Sequence, residues 1–309
     1  MNKQILSLIV TGFLVVFTTN LAASSSGTSS KPLAGTYPIV LSHGFIGWGE
    51  DGATTGAIAI FNYWGGMDDY LRSQGASVLA VTKTAIASNE TRAAEAREKI
   101  LYWMAANGYS KVHVLAHSQG APDSRYMISN LGMAGKVSTM TSLNGANSGV
   151  AIADIAESII PSWMYSFIDT ILNALGQFIY GSNQDIKGSL ASISVKNMKT
   201  FNQYTPNAAG VKYFSYGGSI YANVLTHPFA IMQPITAAGS LIYGQGTAND
   251  GVVAVSSQKW GTWMGGPDLP WYKEGVDHGQ ACNALSMGET FYDVEAYFLK
   301  MAKNMKANQ

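Results

Sequence analysis

The chain of 309 residues contains a single cysteine, Cys282, so no disulfide can form within it. A chain of this length with 47% hydrophobic residues can build a core without one. Charge is equally scarce. Only 12% of residues are Asp, Glu, Lys or Arg, and 19 basic side chains are matched by 19 acidic ones. The zero formal net charge offers no basic excess to hold nucleic acid and no basic patch to draw the chain to acidic membranes. Internal repeats are missing as well. Histidine is limited to five positions, from which any imidazole chemistry must be drawn.

The N-terminus has the features of a secretory signal over residues 1–23. Lys3 supplies the positive start, Ile5 to Phe17 the apolar core, and Leu21-Ala22-Ala23 the small residues for cleavage. The apolar run is short for a bilayer span, and no cysteine stands at the cut for lipid attachment. A retained N-terminal anchor is the alternative. Ser24-Ser25-Ser26-Gly27-Thr28-Ser29-Ser30 then opens a flexible polar tether, assigned to residues 24–36. The folded domain is expected over residues 37–309, and the protein is expected to be secreted, extracellular or periplasmic.

Within that domain, Pro38-Ile39-Val40-Leu41 and Val78-Leu79-Ala80-Val81 are apolar runs without polar alternation, as in strands buried on both faces. Val112 to Leu115, Val137 to Leu143, Tyr213 to Tyr216 and Val252 to Val255 are further predicted strands. Helices are predicted over 91–106, ended by Gly108, and over 291–305. Strands alternating with helices make this an α/β protein, with a mostly parallel sheet covered on both faces. Residues 152–180 are unusually apolar, yet Ser166, Asp169, Thr170, Asn173 and Gln177 form a polar stripe. That pattern fits amphipathic helices, either packed in the core or forming a movable lid that meets lipid when open.

The most informative segment is Ala116-His117-Ser118-Gln119-Gly120. A β-branched run ends there, and a helix-compatible stretch follows from Pro122 to Leu131. A serine at the apex of a tight strand-to-helix turn has a strained backbone, so its neighbours two positions away must be small. This is the pattern of a nucleophile elbow. A serine hydroxyl is a weak nucleophile and needs a base, and the base needs an orienting acid. Scaffolds with this elbow present them in the chain order serine, acid, histidine. His43, His113 and His117 precede Ser118. Of the two downstream, His278 stands in a polar Gly-Val-Asp-His-Gly loop before the last helix and is preferred to His227.

Asp250, in Gly246-Thr247-Ala248-Asn249-Asp250-Gly251, is the candidate acid, with Asp268, Glu274 and Asp277 as rivals. Asn249-Asp250-Gly251 also fits an ordinary turn. The negative oxygen formed on attack needs preorganised N–H donors. The backbone of Gln119, after the serine, and that of Phe45, in His43-Gly44-Phe45, are the candidates for this oxyanion hole.

Three segments together carry a family resemblance: residues 37–45 (Tyr37-Pro38-Ile39-Val40-Leu41-Ser42-His43-Gly44-Phe45), the elbow continuing to Arg125-Tyr126, and Gly246 to Gly251. They resemble the secreted bacterial triacylglycerol lipases of family I, the group that folds with a dedicated membrane-bound foldase. The resemblance runs from Tyr37 nearly to the C-terminus. It implies an α/β-hydrolase fold lacking the first strands of the full fold, with a helical lid at residues 152–180. It further implies Ser118 as nucleophile, Asp250 as acid, His278 as base, and Phe45 and Gln119 at the oxyanion hole. The expected substrate is a triacylglycerol or other lipid ester, with transient contact with lipid surfaces and a foldase as possible partner. Esterase activity on short soluble esters, polyester depolymerisation and non-catalytic binding of an apolar ligand are the alternatives.

The chain departs from the family at several places. Its elbow begins with Ala116 where this group usually has glycine. The family's structural calcium has one carboxylate ligand where this chain has Phe229-Ala230-Ile231 and another where it has Gln280. With both acids missing, no metal is expected there and no cofactor elsewhere. The disulfide found in some members is also absent.

Overall fold

The computed structural model describes residues 31–50, 62–159, 184–221, 225–273 and 275–309. The expected signal at residues 1–23, the start of the tether and most of the expected lid lie outside the described residues. So does Glu274. Among the described residues, no helix is long and apolar enough to cross a membrane.

Five of the six strands are almost wholly buried, and the first three are accordingly rich in apolar residues, while the next two also bury hydroxyl side chains such as Thr139, Thr141 and Ser215. They are β1 (Ile39–Ser42), β2 (Val78–Val81), β3 (Val112–His117), β4 (Val137–Leu143) and β5 (Lys212–Tyr216), joined at the edge by β6 (Thr262–Trp263). The sheet order is β2-β1-β3-β4-β5-β6. Every pairing is parallel. Alternate side chains divide between two cores, as the pleat requires. Ile39, Leu41, Val78, Ala80 and Leu115 face one, with Trp64, Leu71, Phe298 and Met301. Val40, Leu79, Val81, Val112 and Val114 face the other, with Ala96, Ile100, Met104 and Met127.

The first core is covered by α1 (Met67–Ser73) and the last helix, the second by α2 (Asn89–Asn107) and α3 (Gly120–Asn130). Helix α2 starts at an N-cap, Ser88, whose side chain accepts from the Thr91 N–H. It ends at Gly108, whose left-handed φ of 70° closes the last turn. Beyond β4 come α4 (Ala151–Ile159), α5 (Ile186–Ile193) and α6 (Val195–Tyr204). After β5 come α7 (Gln233–Ile242), α8 (Val255–Gln258), α9 (His278–Ala281) and α10 (Val294–Ala307).

Two expectations require correction. Val252 to Val255 is not a strand: only an isolated bridge joins Asn249 and Ala254, and α8 begins at Val255. Its apolarity serves packing instead, because Val253 is buried with Ala146, Val150 and Ile193. The sheet is completed by β6, too short to show a periodicity. Residues 31–36, assigned to the tether, are folded onto the domain. Leu33 is fully buried, its N–H donates to the Gln74 carbonyl, and Lys306 Nζ donates to the carbonyls of Pro32 and Ala34 at 3.0 and 2.7 Å.

Helix α4 covers the first residues of the expected lid. It packs against α5, α6 and α7. Its Asp154 carboxylate accepts the Val195 N–H at 2.6 Å, holding the start of α6. The loops after β1, β3 and β4 all leave the same, C-terminal edge of the sheet. The chain runs outward from β1 to β2 and then returns to β3 on the other side of β1. A crevice opens at such a reversal of strand order, and Ser118 directly follows β3.

Candidate active site

Ser118 has φ of 57°, a left-handed conformation that a serine seldom adopts. The surrounding structure holds it there. Its N–H donates to the Leu143 carbonyl, and its own carbonyl accepts from Ala121 and Ala146. The elbow passes so close to the loop after β1 that a side chain on Gly120 would sit 2.7 Å from the His43 carbonyl oxygen and closer still to that of Ser42. A side chain on Gly44 would lie 2.6 Å from Ser118 Cβ. These approaches give the small residues of the motif their physical reason.

The structure brings together the three side chains singled out in the sequence. His278 Nε2 lies 2.8 Å from Ser118 Oγ, and His278 Nδ1 lies 2.8 Å from Asp250 Oδ2. Ser118 and His278 retain 8% and 7% exposure, while Asp250 is fully buried. Asp250 Oδ1 accepts the N–H groups of Val252 and Val253 at 2.9 and 2.7 Å, and Oδ2 accepts from Asn144 Nδ2 at 2.7 Å. The carboxylate is therefore held in one orientation, and the His278 N–H bonds to the Asp250 carbonyl as well. Such an arrangement can take a proton from a serine hydroxyl and stabilise the resulting imidazolium.

Among the described residues, neither the Phe45 N–H nor the Gln119 N–H has an acceptor. The loop that carries Phe45 rests on a buried charged cluster. Arg92 donates to the carbonyls of His43 and Gly44 at 2.8 and 3.0 Å, and Lys83 Nζ to that of His43 at 2.9 Å. Both cations share Asp123 Oδ2, each at 2.8 Å. Burial lowers Lys83 to about 7, with the nearby Asp123 opposing that shift. The His43 ring is held neutral, first by burial and then by the charge of Lys83.

The rival residues have other places. His227 is buried and faces Gln280 Oε1 at 2.9 Å. Asp268 lies at the surface, paired with Lys300. Asp277 caps α9: its carboxylate accepts the N–H of Gln280, while Gln280 Oε1 accepts the N–H of Asp277. Burial pushes the Asp277 carboxyl above its usual range. Burial likewise raises the Cys282 thiol to about 12, so it is a passive core residue rather than a nucleophile.

The position of the family's calcium does not fit that ion. Both oxygens of Asp277 accept backbone N–H groups, those of Gln280 and Phe229. Gln280 Oε1 faces Asp277 N and His227 Nδ1, and its Nε2 donates to the Thr226 carbonyl. A calcium ion needs six to eight oxygens free to coordinate, usually including carboxylates. Among the described residues, no three His, Cys, Asp or Glu side chains converge as metal ligands.

Sequence reasoning missed Asn144, Lys83, Arg92 and Asp123. The available signal was position: each is a polar residue at a strand end or on a helix otherwise packed on the sheet.

No family model matches the chain. It is 28% identical over 277 residues to a triacylglycerol lipase of Vibrio cholerae, covering 80% of this chain and 84% of that one. A triacylglycerol lipase of Pseudomonas fragi is 24% identical over 297 residues, covering 87% and 96%. Among solved structures, the Staphylococcus hyicus lipase superposes with a TM-score of 0.65 at 17% identity, over 93% of this chain and 98% of that one. The parallel six-stranded sheet and these structures agree on an α/β-hydrolase fold, and the similarity to triacylglycerol lipases supports an enzyme of the lipase or carboxylesterase type.

Proposed function

We propose that the chain hydrolyses triacylglycerols or related lipid esters through an acyl-serine intermediate on Ser118. The observation that carries this reading is the unbroken line Asp250–His278–Ser118, with 2.8 Å at both junctions, ending on a serine with φ of 57°. Its relatives' names supply the substrate class.

His278 Nε2 accepts the Ser118 proton as Oγ attacks the acyl carbon. The carbonyl π electrons move to the oxygen, which meets the N–H groups of Phe45 and Gln119. Each donor of this kind contributes about 3 kcal/mol to lowering the barrier. Asp250 keeps the imidazole in the tautomer with its proton on Nδ1 and steadies the imidazolium. The tetrahedral intermediate collapses, the ester C–O bond breaks, and the leaving alcohol takes the proton from His278. Water then repeats the sequence, losing a proton to His278 and releasing the fatty acid and free Ser118. No metal enters these steps, and the Asp277–Gln280 capping box steadies the His278 turn by hydrogen bonds. Residues 1–23 are the secretory signal that delivers the enzyme to the periplasm or medium.

The test is Ser118→Ala, together with labelling by a fluorophosphonate probe. Turnover should fall by about a millionfold, and the label should be lost. A variant that keeps most of its esterase rate would refute the mechanism. Rates measured as a triglyceride passes its solubility limit assign the substrate: a jump supports a lipase, and plain saturation a soluble-ester esterase.

A further inference from the structure

His117, directly before Ser118, is a residue whose side chain the mechanism does not use. It lies on the same face of β3 as Leu115, toward the core that holds Trp64 and Phe298. Its ring is buried and lies 4.6 Å from the ring of His278, centroid to centroid, tilted by 44°. Its Nε2 is 3.0 Å from the His278 carbonyl oxygen, and its Nδ1 is 2.7 Å from the Tyr63 hydroxyl. That hydroxyl also receives the N–H of Gly44 at 3.1 Å.

The direction of every bond in this chain follows from what each group can do. A carbonyl only accepts, so His117 Nε2 carries the proton. A neutral imidazole has one N–H, so Nδ1 accepts the hydroxyl proton of Tyr63. The Gly44 N–H then donates to the phenol oxygen. The polarity runs from Gly44 through Tyr63 and His117 to His278. Burial and the neighbouring His278 push His117 well below the usual imidazole range, so its ring stays neutral beside an imidazolium. Trp64, Trp48 and His43 lie around the Tyr63 ring at 5.2, 5.6 and 5.8 Å. These rings pack around the phenol.

We infer that Tyr63 and His117 are a positioning pair, with the Tyr63 hydroxyl fixing the tautomer of His117 so that His117 holds the backbone of His278 and sets its imidazole against Ser118. Through Gly44 the same hydroxyl ties the loop carrying Phe45 to the loop carrying the base. This role rests on the triad reading above, because His117 acts only through His278.

The decisive variant is Tyr63→Phe, which deletes one oxygen and keeps the ring packing. Turnover and the rate of fluorophosphonate labelling, measured well below the thermal midpoint, should both fall roughly five- to tenfold while KM stays at its wild-type value; the midpoint itself should drop, because the Gly44 N–H and His117 Nδ1 lose their partner. His117→Gln retains an N–H donor near the place of Nε2, so it should recover part of the rate lost in His117→Leu. Tyr63→Phe with wild-type turnover and labelling would overturn the inference, as would equal rates for the two His117 variants. If the His117 variants do not fold, Tyr63→Phe decides alone. Ser118→Ala separates the two levels: an active Ser118→Ala defeats the triad reading itself, whereas an inert Ser118→Ala beside an unaltered Tyr63→Phe defeats only the positioning pair.

Discussion

Asn144 Nδ2 lies 2.7 Å from Asp250 Oδ2, the same oxygen that faces His278 Nδ1. Asn144 follows β4 with φ of 47° and is fully buried, so its amide is aimed by a backbone that few residues tolerate. Asn144→Gly keeps that backbone and removes the amide. Turnover is expected to fall about tenfold, with the circular dichroism spectrum unchanged. An unaltered turnover would show that the two backbone donors to Asp250 suffice.

Gly120→Ala should not be tolerated. The new methyl would press on two backbone carbonyl oxygens, that of Ser42 at the end of β1 and that of His43, which Arg92 and Lys83 hold in place. A loss of about 3 kcal/mol or more is expected in urea unfolding. Gly135→Ala is the control, because a methyl there has open space around it.

Asp123→Asn leaves Lys83 and Arg92 buried without their shared carboxylate. Removing one partner of such a buried cluster costs about 3–5 kcal/mol, because the remaining charge is uncompensated. The loop carrying Phe45 rests on these cations, so turnover should fall with stability. A stable, fully active Asp123→Asn protein would argue against that support.

Chelation should be without effect. If Gln280 and Asp277 hold the His278 turn by hydrogen bonds, EDTA leaves both the rate and the thermal midpoint unchanged. Gln280→Ala should lower both, and added calcium should not restore them. Recovery with calcium would point to a metal at that turn.

Acid should destabilise the fold through three buried histidines. Burial lowers His113 to about 4, and it is the leading cause that puts His43 and His117 well below the ordinary value of about 6.5. As pH falls through about 6.5, the unfolded chain gains protons that the folded chain refuses. Stability from the neutral forms is complete above that point and declines toward about pH 4. Urea midpoints should drop over this window, with each histidine contributing a slope of at most about 1.4 kcal/mol per pH unit. His113→Gln should flatten the slope by one such share. A midpoint independent of pH would contradict the assignment.

Much of the scaffold is legible in the chain. Ile39–Ser42, Val78–Val81 and Val112–His117 are mostly apolar on both faces because both faces of a parallel sheet are covered. Val252 to Val255 has the same composition, yet it packs under helices instead of pairing, and apolar content alone cannot separate the two uses. Helix α5, with its Asp185 cap, and helix α7, with a proline near its start, passed unnoticed because their apolar faces are short.

The amino-acid order by itself determined the parallel α/β layout and the elbow at Ser118, because strand burial and a strained turn leave local marks: apolar runs and small residues at fixed spacing. It also narrowed the choice of imidazole and carboxylate to a few positions. Only the tertiary structure decided that His278 meets Ser118 across 160 positions, that Asp250 is gripped by Asn144, and that Lys83 and Arg92 share Asp123 beneath the Phe45 loop. Strand order and loop placement create those meetings, and a contact between distant side chains leaves no periodic trace in the residues that make it.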